Sequence, residues 1–146
     1  MLYFDTSFLT PLFKRELSSP DVRRFTAGRT PRMLAVSEWT RVEFASVLAK
    51  DVRMGRMTPV EAVALEKAFE IAVGRGYLVL DVARRDFDLA RRLLSDHRSG
   101  LRAGDALHLA VASNNAAAGV YSLDKVMIAA GLSLGLPMNA GFAAAI

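Results

Sequence analysis

The 146-residue chain contains no cysteine and only two histidines, His97 and His108. Without cysteine there is no disulfide staple and no thiolate zinc site, and two histidines alone cannot build a histidine-rich metal centre. Any metal must therefore be held mainly by oxygen. Long hydrophobic runs are missing as well, and no stretch is long and clean enough to cross a bilayer. The N-terminus lacks the basic region, apolar core and small-residue cleavage site of a secretion signal, because Asp5 interrupts the first apolar run almost at once. A cytoplasmic protein with no membrane partner is the resulting expectation. No linker, internal repeat or low-complexity segment divides the chain, and its length suits one unit able to bury most of the surface its unfolded form exposes. A single domain over residues 1–146 is expected, with the alanine-rich end "AGFAAAI" either a loosely held tail or part of a subunit contact.

Apolar residues make up 52% of the chain and are spread along it. The formal net charge is +4 and its basic side is mostly arginine, whose planar fork can grip two phosphate oxygens. Solubility alone accounts equally well for so modest an excess. Apolar runs of strand length recur at Leu2 to Phe4, Leu34 to Val36, Tyr77 to Leu80 and Val120 to Tyr121, with a weaker fifth around Pro137 to Ala140. Helical periodicity fills the intervals. Ser37 reads as the N-cap of a helix running to about Arg53. Thr58, Pro59 and Glu61 form a capping box for a second helix that Gly74 and Gly76 should end. A third is expected from Arg84 to His97. A fourth covers "GDALHLAVASNNAAAG", apolar on nearly every face and so packed between other elements. Strands alternating with helices imply an α/β fold: a three-layer α/β/α sandwich around a mostly parallel sheet of four to five strands.

In such a sheet, ligands bind beyond the carboxyl ends of the strands. Asp5 follows the first strand directly, and Asp124 follows the fourth through "YSLD". Asp105 opens the helix that leads into the fourth strand, so all three aspartates are expected at one edge. Each taken singly is more simply explained as a helix cap. Asp81, after "YLVLD", also follows a strand, and nothing around it suggests chemistry; no metal role is expected for it. Glu43 differs, because capping cannot account for a glutamate in the middle of a helix. In "SEWTRVEFASVLAK" its helical neighbours are Trp39, Thr40, Ser46 and Val47, beside the inward side, where a lone carboxylate needs a partner or a metal. Solvation at the edge of the apolar stripe, or a pair with Arg41, is the alternative. Glu38 points about 140° away round the helix and reads as an N-terminal helix charge. Carboxylates brought together repel by about 4 kcal/mol per pair at 4 Å and an effective dielectric near 20. A hard divalent ion, Mg²⁺ or Mn²⁺, would answer that charge, and phosphoryl transfer is the chemistry it supports best.

Together these segments resemble the PIN-domain ribonucleases, in particular the VapC-like toxins of toxin–antitoxin pairs. "LYFDTS" is similar to the first-strand motif, "SEWTRVEFASVLAK" to the helix carrying the glutamate, "GDALHLAVA" to the third acidic motif and "VYSLDK" to the fourth, in order along essentially the whole chain. The resemblance assigns Asp5, Glu43, Asp105 and Asp124 to a catalytic acidic site, Asp5 and Asp105 holding the metal and Glu43 and Asp124 serving as further ligands, direct or through water. Ser7 and Ser122 fall where the family has hydroxyl or amide side chains that orient the acids; serine at 122 departs from the usual threonine. The implied activity is metal-dependent endonucleolytic cleavage of RNA by a homodimer that a small VapB-like antitoxin neutralises.

An acidic site repels RNA, so nearby positive charge is needed. Arg102, three residues before Asp105, and Lys125, after Asp124, are the expected substrate contacts. Arg84, Arg91 and Arg98 at seven-residue spacing, with Arg85 and Arg92 beside them, read more simply as a solvated face with local pairs such as Asp88 to Arg92. His108 shares a helix face with Asp105 and could assist it, although packing is the simpler expectation; Phe8, Leu12 and Phe13 are most simply core, with a share in an antitoxin groove as the alternative. The competing readings are a phospho-acceptor signalling domain using Asp81, a phosphatase with an aspartyl nucleophile, a PIN-like RNA-processing nuclease that is not a toxin, and a PIN-like fold that binds RNA without cutting it.

Overall fold

The short apolar runs form one sheet because each alternates its side chains between two covered faces. In the computed structural model, residues 1–16, 19–30 and 33–139 are described. The strands are β1 (Leu2–Phe4), β2 (Leu34–Ser37), β3 (Leu78–Leu80), β4 (Gly119–Tyr121) and β5 (Met138–Asn139). All pair in parallel, in the order β3-β2-β1-β4-β5. The fifth strand falls inside the expected stretch; Ala140 and the tail 140–146 lie outside the described residues.

The helices are α1 (Thr6–Phe13), α2 (Ser19–Ala27), α3 (Glu38–Arg53), α4 (Pro59–Gly76), α5 (Arg84–Leu93), α6 (Ala103–Asn114) and α7 (Lys125–Ser133). Phe4, Leu34, Val36 and Tyr121 point to one face, where Phe8, Phe44, Leu48, Phe69 and Val73 of α1, α3 and α4 meet them, with Leu12 and Phe13 packed alongside. Tyr3, Ala35 and Val120 point to the other and pack against Leu109, Val111 and Met127 of α6 and α7. Residues one apart along a strand thus build separate cores, and the sandwich has its expected three layers.

Two helix ends differ from expectation. Helix α4 continues through Gly74 and Gly76, closing with Tyr77 N–H donating to the Val73 carbonyl at 3.1 Å. Buried Phe69 and Val73 anchor its last turns, and packing outweighs the roughly 1 kcal/mol per glycine. Helix α5 stops at Leu93 instead of His97, because Asp96 turns the chain: its carboxylate accepts from Arg98 N–H at 3.2 Å and its carbonyl from Ser99 N–H at 3.1 Å. Fully buried Asp86 then ties α5 to α6, accepting from Ala83 N–H and from Asn114 Nδ2, each at 2.8 Å.

Strand order reverses at β1: the chain proceeds outward through β2 and β3, then returns to lay β4 on the other side. The carboxyl ends of β1 and β4 therefore flank the switch point, where open α/β sheets place their ligands. Asp86→Ala removes the side chain that accepts from Ala83 N–H at the start of α5 and ties α5 to α6, and is expected to lower unfolding free energy by about 1 kcal/mol, measurable by urea denaturation.

Candidate active site

Asp5 ends β1 and caps α1. Its Oδ1 accepts from Phe8 N–H at 2.9 Å, and its backbone N–H donates to the Tyr121 carbonyl of β4 at 3.1 Å. The cap and the site residue are one side chain. Ser7 Oγ lies 2.8 and 2.9 Å from the two carboxylate oxygens, and Ser122 Oγ donates to Oδ2 at 2.6 Å. Ser7 Oγ also accepts Leu123 N–H, and Ser122 Oγ accepts Asp124 N–H at 3.0 Å, so the two serines stitch β1 to the turn after β4. Asp124 caps α7, its Oδ1 accepting from Val126 and Met127 N–H.

Glu43 stands in mid α3, and its partner is neither solvent nor Arg41, which pairs with Glu38 and Glu70 at 2.7 Å each. Glu43 Oε2 instead accepts Thr6 Oγ1 at 2.7 Å and lies 2.6 Å from His108 Nε2. Its Oε1 faces Gly104, where an added Cβ would come within 2.5 Å of it; only glycine leaves that room. Asp105, third residue of α6, accepts Arg102 N–H at 3.4 Å, a weak cap that leaves the carboxylate half-buried at the same edge.

The electrostatics follow from these positions. Burial, leaving Asp5 only 3% exposed, pushes its carboxyl up from the ordinary value, against the opposing effects of the His108 charge and the bonds from Ser122, Phe8 and Ser7. Burial also raises Asp105, and the charges of Asp124 and Glu43 raise it further. Glu43 goes the other way: burial opposes ionisation, but His108 and Thr6 outweigh it and hold the carboxyl below its usual range. The Trp39 indole N–H is buried beside this group without an acceptor at hydrogen-bond geometry, yet its proximity still favours the charged carboxylate.

The four acids thus share one edge, Asp5 and Asp124 joined through Ser122, Glu43 and Asp105 through mutual charge. Among the described residues no group of three or more acidic or histidine side chains closes round a common point as a finished ligand cage. The donor chemistry nonetheless suits a hard cation: the acids are all oxygen donors, the charges of Asp124 and Glu43 raise the proton affinity of Asp105, and the missing side chain of Gly104 lets Glu43 Oε1 come up against α6 one residue from Asp105.

Arg102 and Lys125 are exposed at the first turns of α6 and α7, beside Asp105 and Asp124. Asp88 pairs weakly with Arg84 (3.9 Å) and Arg91 (3.7 Å), not with Arg92, and Arg84, Arg91 and Arg98 are almost fully exposed. Asp81 is exposed after the edge strand β3. Sequence reasoning missed Tyr3 and Thr6 beside Glu43, and for His108 it favoured packing over assistance to the acids; the charge-capable ring in an otherwise apolar helix was the available signal.

The PIN domain family model matches residues 2–131, and the chain belongs to the PIN domain family. No curated protein matches it in sequence. Similar solved structures include VapC20 of Mycobacterium tuberculosis, a sarcin-ricin-loop-cleaving toxin (22% identity, TM-score 0.72, covering 90% of this chain and 95% of that one). FitAcB of Neisseria gonorrhoeae (16%, 0.71, 94% and 96%) and VapBC2 of Rickettsia felis, bound to promoter DNA (14%, 0.65, 95% and 98%), share the same fold. Among the described residues no helix is long and apolar enough to cross a membrane.

The opposite shifts of Asp5 and Glu43 give opposite stability effects. A raised carboxyl binds more protons folded than unfolded, so its contribution is present below the unfolded value, about 3.9, and is lost as pH rises through the folded one. A lowered carboxyl contributes above its unfolded value and loses that as pH falls. Thermal melts in EDTA at about pH 7.5 are expected to show Asp5→Asn above wild type and Glu43→Gln below it. The Asp5 difference should shrink as pH falls from neutrality into the ordinary carboxylate range, and the Glu43 difference should shrink only as pH falls below that range.

Proposed function

We propose that this protein is a metal-dependent endoribonuclease that hydrolyses RNA phosphodiester bonds, the toxin of a toxin–antitoxin pair. The observation that carries the reading is Asp5: a buried carboxylate held by Ser7, Ser122 and the α1 N-terminus at the switch point, with three further acids along the same edge. Asp5 and Asp105 are the residues to hold Mg²⁺ or Mn²⁺, with Glu43 and Asp124 as further ligands, direct or through water. A divalent ion there supplies charge compensation and Lewis acidity towards a phosphodiester.

The protein's own groups do the rest. Ser7 and Ser122 prevent Asp5 from turning, and the cap bonds of Asp124 do the same at α7. Arg102 and Lys125 flank the acids and attract the phosphates that the acids repel. The PIN family match and the fold shared with VapC20, FitAcB and VapBC2 support a nuclease of this kind with a small VapB-like antitoxin partner; a homodimeric state and a cytoplasmic setting are part of the same proposal. A phospho-acceptor site would need Asp81 beside Asp5. Strand β2 lies between β3 and β1 and keeps them apart.

With purified protein, RNA cleavage should require Mg²⁺ or Mn²⁺ and stop in EDTA. Asp5→Asn, Glu43→Gln and Asp105→Asn should each lose about 100-fold or more, beyond the loss typical of an outer-shell partner. Cleavage at the wild-type rate in EDTA would overturn the reading. Arg102→Ala and Lys125→Ala are expected to raise KM and to flatten its salt dependence by about one unit of slope each, read from kinetics at several salt concentrations.

A further inference from the structure

Helix α6 presents Asp105 and, one turn later, His108. The histidine is 1% exposed among Ala106, Leu107, Leu109 and Ala110. A histidine merely packed there would be expected to satisfy itself locally. Both of its ring nitrogens instead reach side chains of other elements: Nδ1 lies 2.7 Å from the Tyr3 hydroxyl of β1, and Nε2 lies 2.6 Å from Glu43 Oε2 of α3. The Tyr3 hydroxyl in turn lies 2.9 Å from Ser37 Oγ, the side chain that caps α3. The network thus begins at the start of the helix carrying Glu43 and ends on the Glu43 head group.

An ionised carboxylate only accepts, so Nε2 carries the proton in its bond to Glu43, and the hydroxyl of Tyr3 holds the ring the right way round. Thr6 Oγ1 donates to the same Oε2 at 2.7 Å. Two donors from α1 and α6 therefore claim one oxygen of Glu43. Oε1, against Gly104, is left as the oxygen without a hydroxyl or imidazole donor.

We infer that His108, oriented by Tyr3, is a positioning residue that turns Glu43 Oε2 into the protein and presents Oε1 to the acidic edge. The inference rests on the metal-dependent reading of that edge. It makes α6 supply both an acid and the device that aims the acid of a neighbouring helix.

The test uses His108→Leu, which keeps bulk but no donor, His108→Gln, which returns an N–H near the position of Nε2, and Tyr3→Phe, which removes only the hydroxyl. Mn²⁺ affinity is measured by calorimetry without RNA, and kcat and KM are measured with RNA. His108→Leu is expected to weaken Mn²⁺ binding and kcat by about 10–100-fold with KM for RNA unchanged. His108→Gln should recover most of both, and Tyr3→Phe should show a smaller loss in the same direction. In a Glu43→Gln background His108→Leu should add nothing further. Equal losses in the Leu and Gln variants that track melting temperature, or additivity with Glu43→Gln, would overturn the inference. If His108→Leu does not fold, wild-type Mn²⁺ affinity in both His108→Gln and Tyr3→Phe overturns it as well. Nitrogen-15 NMR of the metal-free protein provides an arm independent of nuclease activity: a slowly exchanging His108 Nε2–H signal should be present and should shift in Glu43→Gln. Its absence contradicts the positioning role, whereas its presence without RNA cleavage counts against the nuclease reading alone.

Discussion

A carboxylate taken out of water must be met by donors, and the interior around Asp5 is arranged to meet that demand. The helix N-terminus, Ser7 and Ser122 satisfy it from three directions, and Ser122 can do so only because β4 lies directly beside β1. That pairing requires the strand order to reverse at β1, which in turn brings the starts of α1, α6 and α7 to one edge. The local requirement of one charged group and the global topology are thus two descriptions of the same arrangement. The elevated proton affinity of Asp5 shows that the donors fall short of full compensation. The remaining imbalance is what a cation would relieve.

Much of this was legible in the chain. Strands as short as three residues were readable because each is a compact apolar run bounded by a helix cap or a break. An N-cap at Ser37 and a capping box at Thr58 marked helix starts to the residue. Helix ends were less readable, since Gly74 and Gly76 are local signals overridden by Phe69 and Val73, and the turn at Asp96 depends on hydrogen bonds that composition does not reveal. Helices α2 and α7 carry short or uniform apolar patterns, and so escaped notice. For the proposed site, Asp5, Glu43, Asp105 and Asp124 were picked out by position and flanks. The Tyr3 to His108 contact spans 105 residues of sequence, and a tyrosine in an apolar strand reads as core until its hydroxyl is located.

The contrast between Asp5 and Glu43 shows how environment separates like groups. Asp5 receives neutral donors and pays for burial in proton affinity, whereas Glu43 has an imidazole and a threonine hydroxyl and is held charged. One edge therefore contains carboxylates of unequal basicity. Asp105, pressed by the charges of Asp124 and Glu43, is the one most sensitive to whatever positive charge enters. The exposed basic residues at the starts of α6 and α7, Arg102 and Lys125, flank this edge with the opposite sign.

The placement of β1 has a consequence for how the molecule comes into being. Of the five strands of this sheet it comes first in sequence and lies in the middle, yet one of its two neighbours, β4, is not complete until residue 121. A nascent chain that has produced Asp5 and Glu43 still lacks Asp105, Asp124 and the strand that lets Ser122 reach Asp5. Any interrupted translation product short of that point carries an incomplete set of acids on an unpaired strand edge. The order of the strands thus delays assembly of the acidic edge until β4 and the turn after it have been made.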